Sequence, residues 1–484
     1  SGNVDSARLL IAYSLQPVMQ RLGRVGAIGA LASAGHINVN ARHKFAGTTA
    51  LHMAAEVNQS AAIEALCKSG ADASLTTSLG STALHVAAAT NAHLSIAPLL
   101  SACEIEPNAL MNNDTTALYL AALHGYTAFV MELLKHGANA SYHMPTSTQT
   151  DFKQLSSNRL DEATIELNSE PANGAEAIHA AAENGHLPVV KVLLKFGADI
   201  DTVSIGVSPL HLAVQYNQVD IVRYLLRKGA EVDKPSLIDN TTPLYFAAGS
   251  GNNNLVSVLL EAGASCLAIN NLDSFPLLYA VAAGREKVVR KMLTLPNLSP
   301  DFCTPSGVTA LHVACSFGHT GIVTQLFNKG SDVTATTAVE GDTPLHLASR
   351  YGHLDVVEKI FKHIQKNMSE DERSQYVNKK SIAGGFSPFL YAVQRERNSL
   401  NFIDLISRLL RNGADVNARV SEGAVAGATA LYIAATNGDS DLVKLLIEGG
   451  ADPNIPLEIS RGGFTPLLAA IDRGFVDTVR ALLT

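Results

Sequence analysis

Histidine and cysteine are the residues that could carry metal or nucleophilic chemistry in this chain of 484 residues, which has 16 histidines and five cysteines. His312, Cys315 and His319 form the one set of these types at a suggestive spacing. A thiolate beside an imidazole can act as a nucleophile, and both groups bind zinc. Whether these three residues do either depends on the structural elements that carry them.

Nine of the histidines recur at two fixed positions of a repeated pattern. Six lie three residues after a recurring helix-start residue: His52, His85, His179, His211, His312 and His346. Three follow a glycine: His186, His319 and His353. At the first of these positions other repeats carry Tyr119, Tyr245, Tyr432, Leu278, Leu390 and Leu468. Ligands and catalytic groups do not tolerate such exchange, whereas a cap does at a cost of about 1 kcal/mol. We therefore predict no metal site and no catalytic residue.

The sequence lacks the local signatures of common enzymes and nucleotide-binding proteins. It contains no H-E-x-x-H, G-x-S-x-G, Walker or kinase motif. Gly23, Gly26 and Gly29 are spaced by three, which differs from the dinucleotide-binding fingerprint. We predict a protein that is not an enzyme and has no cofactor.

The stretch Gly341–Phe361, GDTPLHLASRYGHLDVVEKIF, shows the repeated pattern most clearly. Thr343 is a good N-cap, and Pro344 suits the first helical position because its missing N–H is not needed there. Gly352 ends this helix, and a second, more apolar helix begins near Leu354. The stretch therefore predicts a helix, a tight turn and a second helix.

The same start occurs twelve times, mostly at intervals of 32 to 36 residues. The twelve predicted start residues are Thr49, Thr82, Thr116, Glu176, Ser208, Thr242, Phe275, Thr309, Thr343, Ser387, Thr429 and Thr465. A period near 33 with a Thr-Pro-Leu-His start resembles the ankyrin-repeat family. The resemblance implies an all-α repeat solenoid of helix-turn-helix units plus finger loops, with about twelve clear units. It also implies a non-catalytic module that binds proteins on a concave face.

Departures from the period suggest the domain organisation. We predict degenerate N-terminal repeat(s) at 1–48, ankyrin repeats at 49–139, a mobile finger-loop insertion at 140–173, regular repeats at 174–361, an insertion at 362–385, and repeats at 386–484 with the last one uncapped. Ser369 followed by Glu372 is a capping box, which predicts an extra short helix in the second insertion, from Ser369 to about Val377.

Composition narrows the choice of partners. A net charge of −8 and a pI near 6.0 give no general attraction to nucleic acid. No stretch reaches 18 apolar residues, so we expect no direct insertion into a membrane. The five cysteines are scattered and never form a C-x-x-C pair, which argues against both a disulfide framework and a zinc knuckle. We therefore expect a reducing, intracellular and cytoplasmic location, with one or more proteins as partners.

Apolar residues at the predicted finger tips and first-helix ends suggest where a partner binds. The predicted partner-binding residues are Leu79, Ile205, Tyr216, Ile238, Leu272, Phe317, Val339 and Tyr351. They recur in successive units, as expected of an interaction stripe. The alternative is that the tips only pack on neighbouring fingers. Two other roles stay open: a cytosolic region of a larger channel, transferase or ubiquitin-ligase adaptor, and a structural subunit of a cytoskeletal or organellar assembly.

Overall fold

The computed structural model describes residues 38–112, 114–142, 176–204, 206–296, 298–394, 402–422, 426–457 and 462–484. Within these ranges the regular structure is entirely helical, with twenty-five α-helices, a short 3₁₀ helix at His93–Ser95 and four isolated β-bridges. The predicted all-α repeat fold is confirmed. The predictions for residues 1–37 lie outside the described residues.

Each of the twelve predicted start residues is the N-cap of a short first helix. The first helices are α1 (Ala50–Glu56), α3 (Ala83–Ala89), α5 (Ala117–Leu123), α7 (Ala177–Glu183), α9 (Pro209–Gln215), α11 (Pro243–Ser250), α13 (Pro276–Ala282), α15 (Ala310–Ser316), α17 (Pro344–Tyr351), α20 (Pro388–Val393), α22 (Ala430–Asn437) and α24 (Pro466–Asp472). Each is followed by a second helix. The second helices are α2 (Ser60–Lys68), α4 (Ile96–Ser101), α6 (Thr127–Lys135), α8 (Leu187–Lys195), α10 (Val219–Arg227), α12 (Asn253–Glu261), α14 (Glu286–Met292), α16 (Thr320–Asn328), α18 (Leu354–Asn367), α21 (Phe402–Arg411), α23 (Ser440–Glu448) and α25 (Val476–Leu483).

Hydrogen bonds at the cap explain why the first helix starts where it does. The Thr343 hydroxyl accepts from the His346 backbone N–H at 3.4 Å, and the Thr343 N–H donates to His346 Nδ1 at 3.1 Å. Pro344 occupies the first turn, where its ring favours the helical φ. Gly352 ends the helix in the left-handed region, with φ of 76°.

The helices form two compact units, residues 1–238 and 239–484. In each unit, first helices pack on the first helices of the next repeat, and second helices pack on second helices. Alanine dominates the first-helix layer, as in Ala87 and Ala88, because small side chains allow the short helices to approach closely. Leucine and valine fill the space beneath the second helices.

The repeats that start at Thr116 and Glu176 pack directly on each other, although 60 residues separate their starts. His186 Nε2 lies 3.0 Å from the Leu123 carbonyl oxygen and so links the two turns. The predicted mobile insertion at 140–173 falls between these packed repeats. Its residues 143–173 lie outside the described part of the chain, and its mobility stays a prediction.

An extra helix, α19 (Glu370–Val377), follows the long helix α18. Ser369 caps it, with the Glu372 carboxylate accepting from the Ser369 N–H at 2.8 Å. This is the position at which the capping box predicts a helix. The new element is held in place by burial of Tyr376 and Val377.

The scattered cysteines argued against a disulfide framework, but Cys67 and Cys103 form a disulfide. They are 36 residues apart in sequence, but stacking of consecutive repeats brings their Cα atoms to 5.3 Å. The sequence signal for this pair is the separation of Cys67 and Cys103, which is close to one repeat period and unlike that of a C-x-x-C pair.

None of the described helices is both long enough and apolar enough to cross a membrane.

Candidate protein-interaction surface

Consecutive fingers are joined by backbone hydrogen bonds. In the first unit, the Leu237 N–H donates to the Gly206 carbonyl at 2.8 Å. In the second unit, the Ala338 N–H donates to the Ser306 carbonyl at 2.8 Å, and the Ile382 N–H donates to the Glu340 carbonyl at 2.7 Å. These bonds hold each finger against the next, so residues at the tips have fixed positions.

Glycine is required where one finger approaches the next. Gly341 has φ of +68°, and a Cβ on it would lie 2.6 Å from Ile382 Cγ1. Gly206, with φ of +80°, stands in the same relation to Ile238. A side chain at either position would meet both backbone strain and a clash. Tip residues such as Ile238 therefore pack on the neighbouring finger and are exposed as well.

At four repeats the helix-start histidine joins its first helix to the following finger, through His52, His85, His312 and His346. His346 Nδ1 lies 2.7 Å from the Thr343 hydroxyl, and its Nε2 lies 3.0 Å from the Lys379 carbonyl and 3.2 Å from the Phe386 carbonyl. Burial lowers the pKa of His346 to about 4, so the ring is neutral at pH 7. The neutral ring of His346 therefore has a structural role, since it joins the first helix to the following finger.

The suggestive set His312, Cys315 and His319 is likewise explained by structure. His312 Nε2 contacts the Asp342 carbonyl at 3.1 Å, and His319 Nε2 contacts the Ala282 carbonyl at 3.0 Å. Cys315 is fully buried, and burial raises the pKa of its thiol. In the part of the chain that the structure describes, no group of three or more histidine, cysteine or acidic residues could hold a metal ion.

Six of the predicted partner-binding residues are largely exposed. In the first unit these are Leu79 and Ile238 on fingers, and in the second unit Leu272 and Val339 on fingers and Phe317 and Tyr351 at first-helix ends. Their side chains are between 49% and 73% exposed. We call the fingers and the exposed first-helix ends of a unit its finger face.

The other two predicted residues differ. Tyr216 is half-buried at the end of α9, where burial and a hydrogen bond to Glu183 raise the pKa of its phenol to about 12. Its hydroxyl is therefore engaged within the fold. Ile205 lies outside the described residues. Partner binding by all eight residues stays a prediction.

Two first helices of the second unit carry aromatic stacking that the sequence analysis missed. Tyr245 and Tyr279, from consecutive first helices, stack with ring centroids 4.4 Å apart. Gly249 makes room for this, since a Cβ there would lie 2.0 Å from the Tyr279 ring. The available signal was one aromatic residue in each of two consecutive first helices, one register position apart. The stack provides a flat apolar surface of the kind that protein interfaces favour.

An ion-pair cluster around Arg350 was also missed. Arg350 Nη1 donates to Glu340 Oε2 at 2.6 Å and to Asp342 Oδ2 at 3.2 Å, and Nη2 donates to the Tyr391 hydroxyl at 2.9 Å. The guanidinium carbon lies 4.1 Å from the Tyr391 ring centroid. We call these four residues the Arg350 cluster.

The two carboxyl groups of the Arg350 cluster have pKa values shifted in opposite directions. Asp342 is buried, and burial together with the nearby Glu340 raises its pKa to about 7. Glu340 is half-exposed, and its hydrogen bond from Arg350 lowers its pKa. Two carboxylates thus share one guanidinium, which holds Arg350 in one orientation on the finger face.

The capped helix pairs, the histidine bridges and the ladder of fingers define an ankyrin-repeat protein. The family model for ankyrin repeats in three copies matches residues 1–110, 51–144, 150–236, 277–371 and 383–484, and the single ankyrin-repeat model matches 239–271. The chain belongs to the ankyrin-repeat family. Ankyrin repeats are modules of protein–protein interaction and are generally non-catalytic.

Several known proteins resemble the chain. It is 30% identical over 322 residues to ankyrin repeat and KH domain-containing protein mask-1 of Caenorhabditis elegans, covering 61% of this chain and 11% of that protein. It is 31% identical over 248 residues to the B-cell lymphoma 3 protein homolog of Mus musculus, covering 50% of each. The human ASB11 ankyrin repeat domain matches with a TM-score of 0.41 and 26% identity, covering 50% of this chain and 99% of that domain. The chain thus spans half or less of the length of these two relatives.

Proposed function

We propose that the chain is a non-catalytic scaffold that binds one or more proteins on the finger face of its second unit. The observation that carries this proposal is the exposure of Leu272 and Val339 on fingers and of Phe317 and Tyr351 at the ends of two consecutive first helices. Burial of such side chains against a partner stabilises a complex by about 25 cal/mol per Å² of apolar area. Aromatic residues among them are the type that most often contributes strongly to binding.

The fixed geometry of this face supports the same proposal. Backbone hydrogen bonds between fingers hold the tips, and ion pairs to Glu340 and Asp342 hold the guanidinium of Arg350, the residue that precedes Tyr351. A surface that is already ordered loses little conformational entropy when a partner binds.

A four-site variant tests this proposal. Leu272→Asp and Val339→Asp, combined with Phe317→Ala and Tyr351→Ala, remove the exposed apolar groups and leave the buried core unchanged. We expect at least a hundredfold weaker binding of the protein partner, with circular dichroism and melting temperature almost unchanged. A matched control is Ile403→Asp with Phe196→Ala, at exposed apolar positions on or next to second helices. Equal binding by the four-site variant would place the interface elsewhere.

We also propose an intracellular, cytoplasmic location, in which this acidic chain binds protein and no nucleic acid. Cys303 and Cys315 have free thiols, which is compatible with a reducing compartment. Cell fractionation of the full-length protein tests the location. Recovery from a secretory fraction would contradict it.

A second candidate is that the chain is the ankyrin region of a longer protein, such as a channel, transferase or ubiquitin-ligase adaptor. The alignments favour this candidate because they cover only 11% and 50% of the two relatives. The full reading frame of the transcript distinguishes the two. A frame that adds no folded domain to these repeats would support the scaffold alone.

A further inference from the structure

Cys67 and Cys103 are bonded across two consecutive repeats. Cys67 is the penultimate residue of α2, and Cys103 lies two residues beyond the end of α4. Their Cα atoms are 5.3 Å apart, within the range of protein disulfides. Both residues are half-buried.

The other three cysteines have different surroundings and serve as internal references. Cys266 and Cys315 are buried and Cys303 is exposed, and the disulfide between Cys67 and Cys103 includes none of them. A buried thiol reacts slowly, and a single exposed thiol has no neighbour with which to close a bond. Close pairing of half-exposed thiols is therefore a property of Cys67 and Cys103 among the five.

We propose that Cys67 and Cys103 form a reversible redox modification site that reacts with a low-molecular-weight disulfide such as oxidised glutathione. One thiolate attacks a sulfur of oxidised glutathione, which releases one reduced glutathione and leaves a mixed disulfide. The second thiolate then attacks the protein sulfur of the mixed disulfide, which forms the Cys67–Cys103 bond and releases the second reduced glutathione. The two protein thiols lose two electrons and two protons, and the glutathione disulfide gains them.

Proximity drives this reaction. Cys67 lies in the last turn of α2, where the negative end of the helix dipole disfavours a thiolate. The thiols are held next to each other by stacked repeats, which makes the second step intramolecular and fast. The extent to which the pair is closed at equilibrium is set by its reduction potential relative to that of the glutathione couple in its surroundings.

The bond closes a segment that contains a complete finger and helix pair. Between Cys67 and Cys103 lie the finger that carries Leu79, the first helix α3 and the second helix α4. In a repeat array each repeat is stabilised mainly by its neighbours, so local opening of this segment is sensitive to a cross-link. Oxidation therefore stabilises these two repeats and leaves distant ones unchanged.

Redox equilibration of the full chain tests the proposal. The chain is incubated in mixtures of reduced and oxidised glutathione, quenched, alkylated and analysed by peptide mass spectrometry. We expect Cys67 and Cys103 to pair with each other and to return to thiols when reduced glutathione is added. A pair that never forms, or one that cannot be reduced in the folded chain, overturns the proposal.

Hydrogen exchange on the oxidised and reduced wild-type chain provides the second readout. We expect exchange in α3 and α4 to be about 10² to 10³ times slower in the oxidised chain, as the loop-closure entropy for this spacing indicates. Exchange in α22 and α23 should not change. Cys67→Ser should abolish the difference, whereas Cys303→Ser should retain it. A difference that persists in Cys67→Ser would assign the effect to another cysteine.

Discussion

The histidine bridges predict that stability falls in mild acid. His346 is buried, with a pKa lowered from 6.5 to about 4 by that burial. The unfolded chain therefore binds more protons than the folded chain between about pH 4 and 6.5, and stability rises with pH over that window. Full stabilisation is present above pH 6.5 and is lost as the pH falls towards 4. Between about pH 7.5 and 5 this histidine alone accounts for about 2 kcal/mol.

His346→Leu isolates this contribution, because leucine occupies the equivalent place at Leu278, Leu390 and Leu468. The variant leaves the carbonyls of Lys379 and Phe386 without their imidazole partner. We expect it to be destabilised at neutral pH by about 2 kcal/mol. On acidification to about pH 5 it should lose about 2 kcal/mol less than the wild type.

The assay is urea unfolding of the full chain followed by circular dichroism at the two pH values. Only the difference between wild type and variant is used, because Asp342 titrates with the opposite sign in the same range. Equal pH dependence of the two proteins would refute the neutral bridge. A variant that gains stability at both pH values would show that the imidazole hydrogen bonds contribute nothing.

Three other predictions concern the same repeat. Thr343→Ala should cost about 1 kcal/mol through the lost cap, with hydrogen exchange of α22 and α23 unchanged; loss of protection throughout the chain would contradict local stabilisation. Gly341→Ala should cost more than 1 kcal/mol because of its positive φ and the Ile382 contact, measured by urea unfolding with Gly413→Ala, where φ is also positive but no atom lies near, as control. Asp342 has a pKa raised to about 7, so the folded chain binds the extra proton and stability should fall as pH rises from about 4 to 7; Asp342→Asn should lack that fall in urea titrations, and an unchanged slope would assign it to another group.

Local chemistry made most of the fold predictable. A cap residue, an early proline and a glycine stop are read within ten residues of sequence, as in Thr343, Pro344 and Gly352, so all twelve starts were found. Even Phe275, which has no capping side chain, was found because its spacing follows the period. The exposure of Leu272 and Val339 could be predicted in the same way, because the repeat pattern places both residues on fingers.

The remaining features depend on contacts between repeats. The bond between Cys67 and Cys103 and the stack of Tyr245 on Tyr279 each join residues about one period apart. The Arg350 cluster joins residues 8 to 41 positions apart. The repeat pattern does not predict the directions in which these side chains point. Such contacts become visible only when the register is combined with the side-chain type at each position.

Site-directed photo-crosslinking tests the central claim most directly. A photoreactive amino acid replaces Val339 on the finger face or Ile403 on a second helix, and the full-length protein is irradiated in its native cells. We predict a discrete crosslinked protein from position 339, which is lost when Leu272→Asp, Phe317→Ala and Tyr351→Ala are also present, and no such product from position 403. Crosslinking from position 403 and none from position 339 would contradict binding on the finger face.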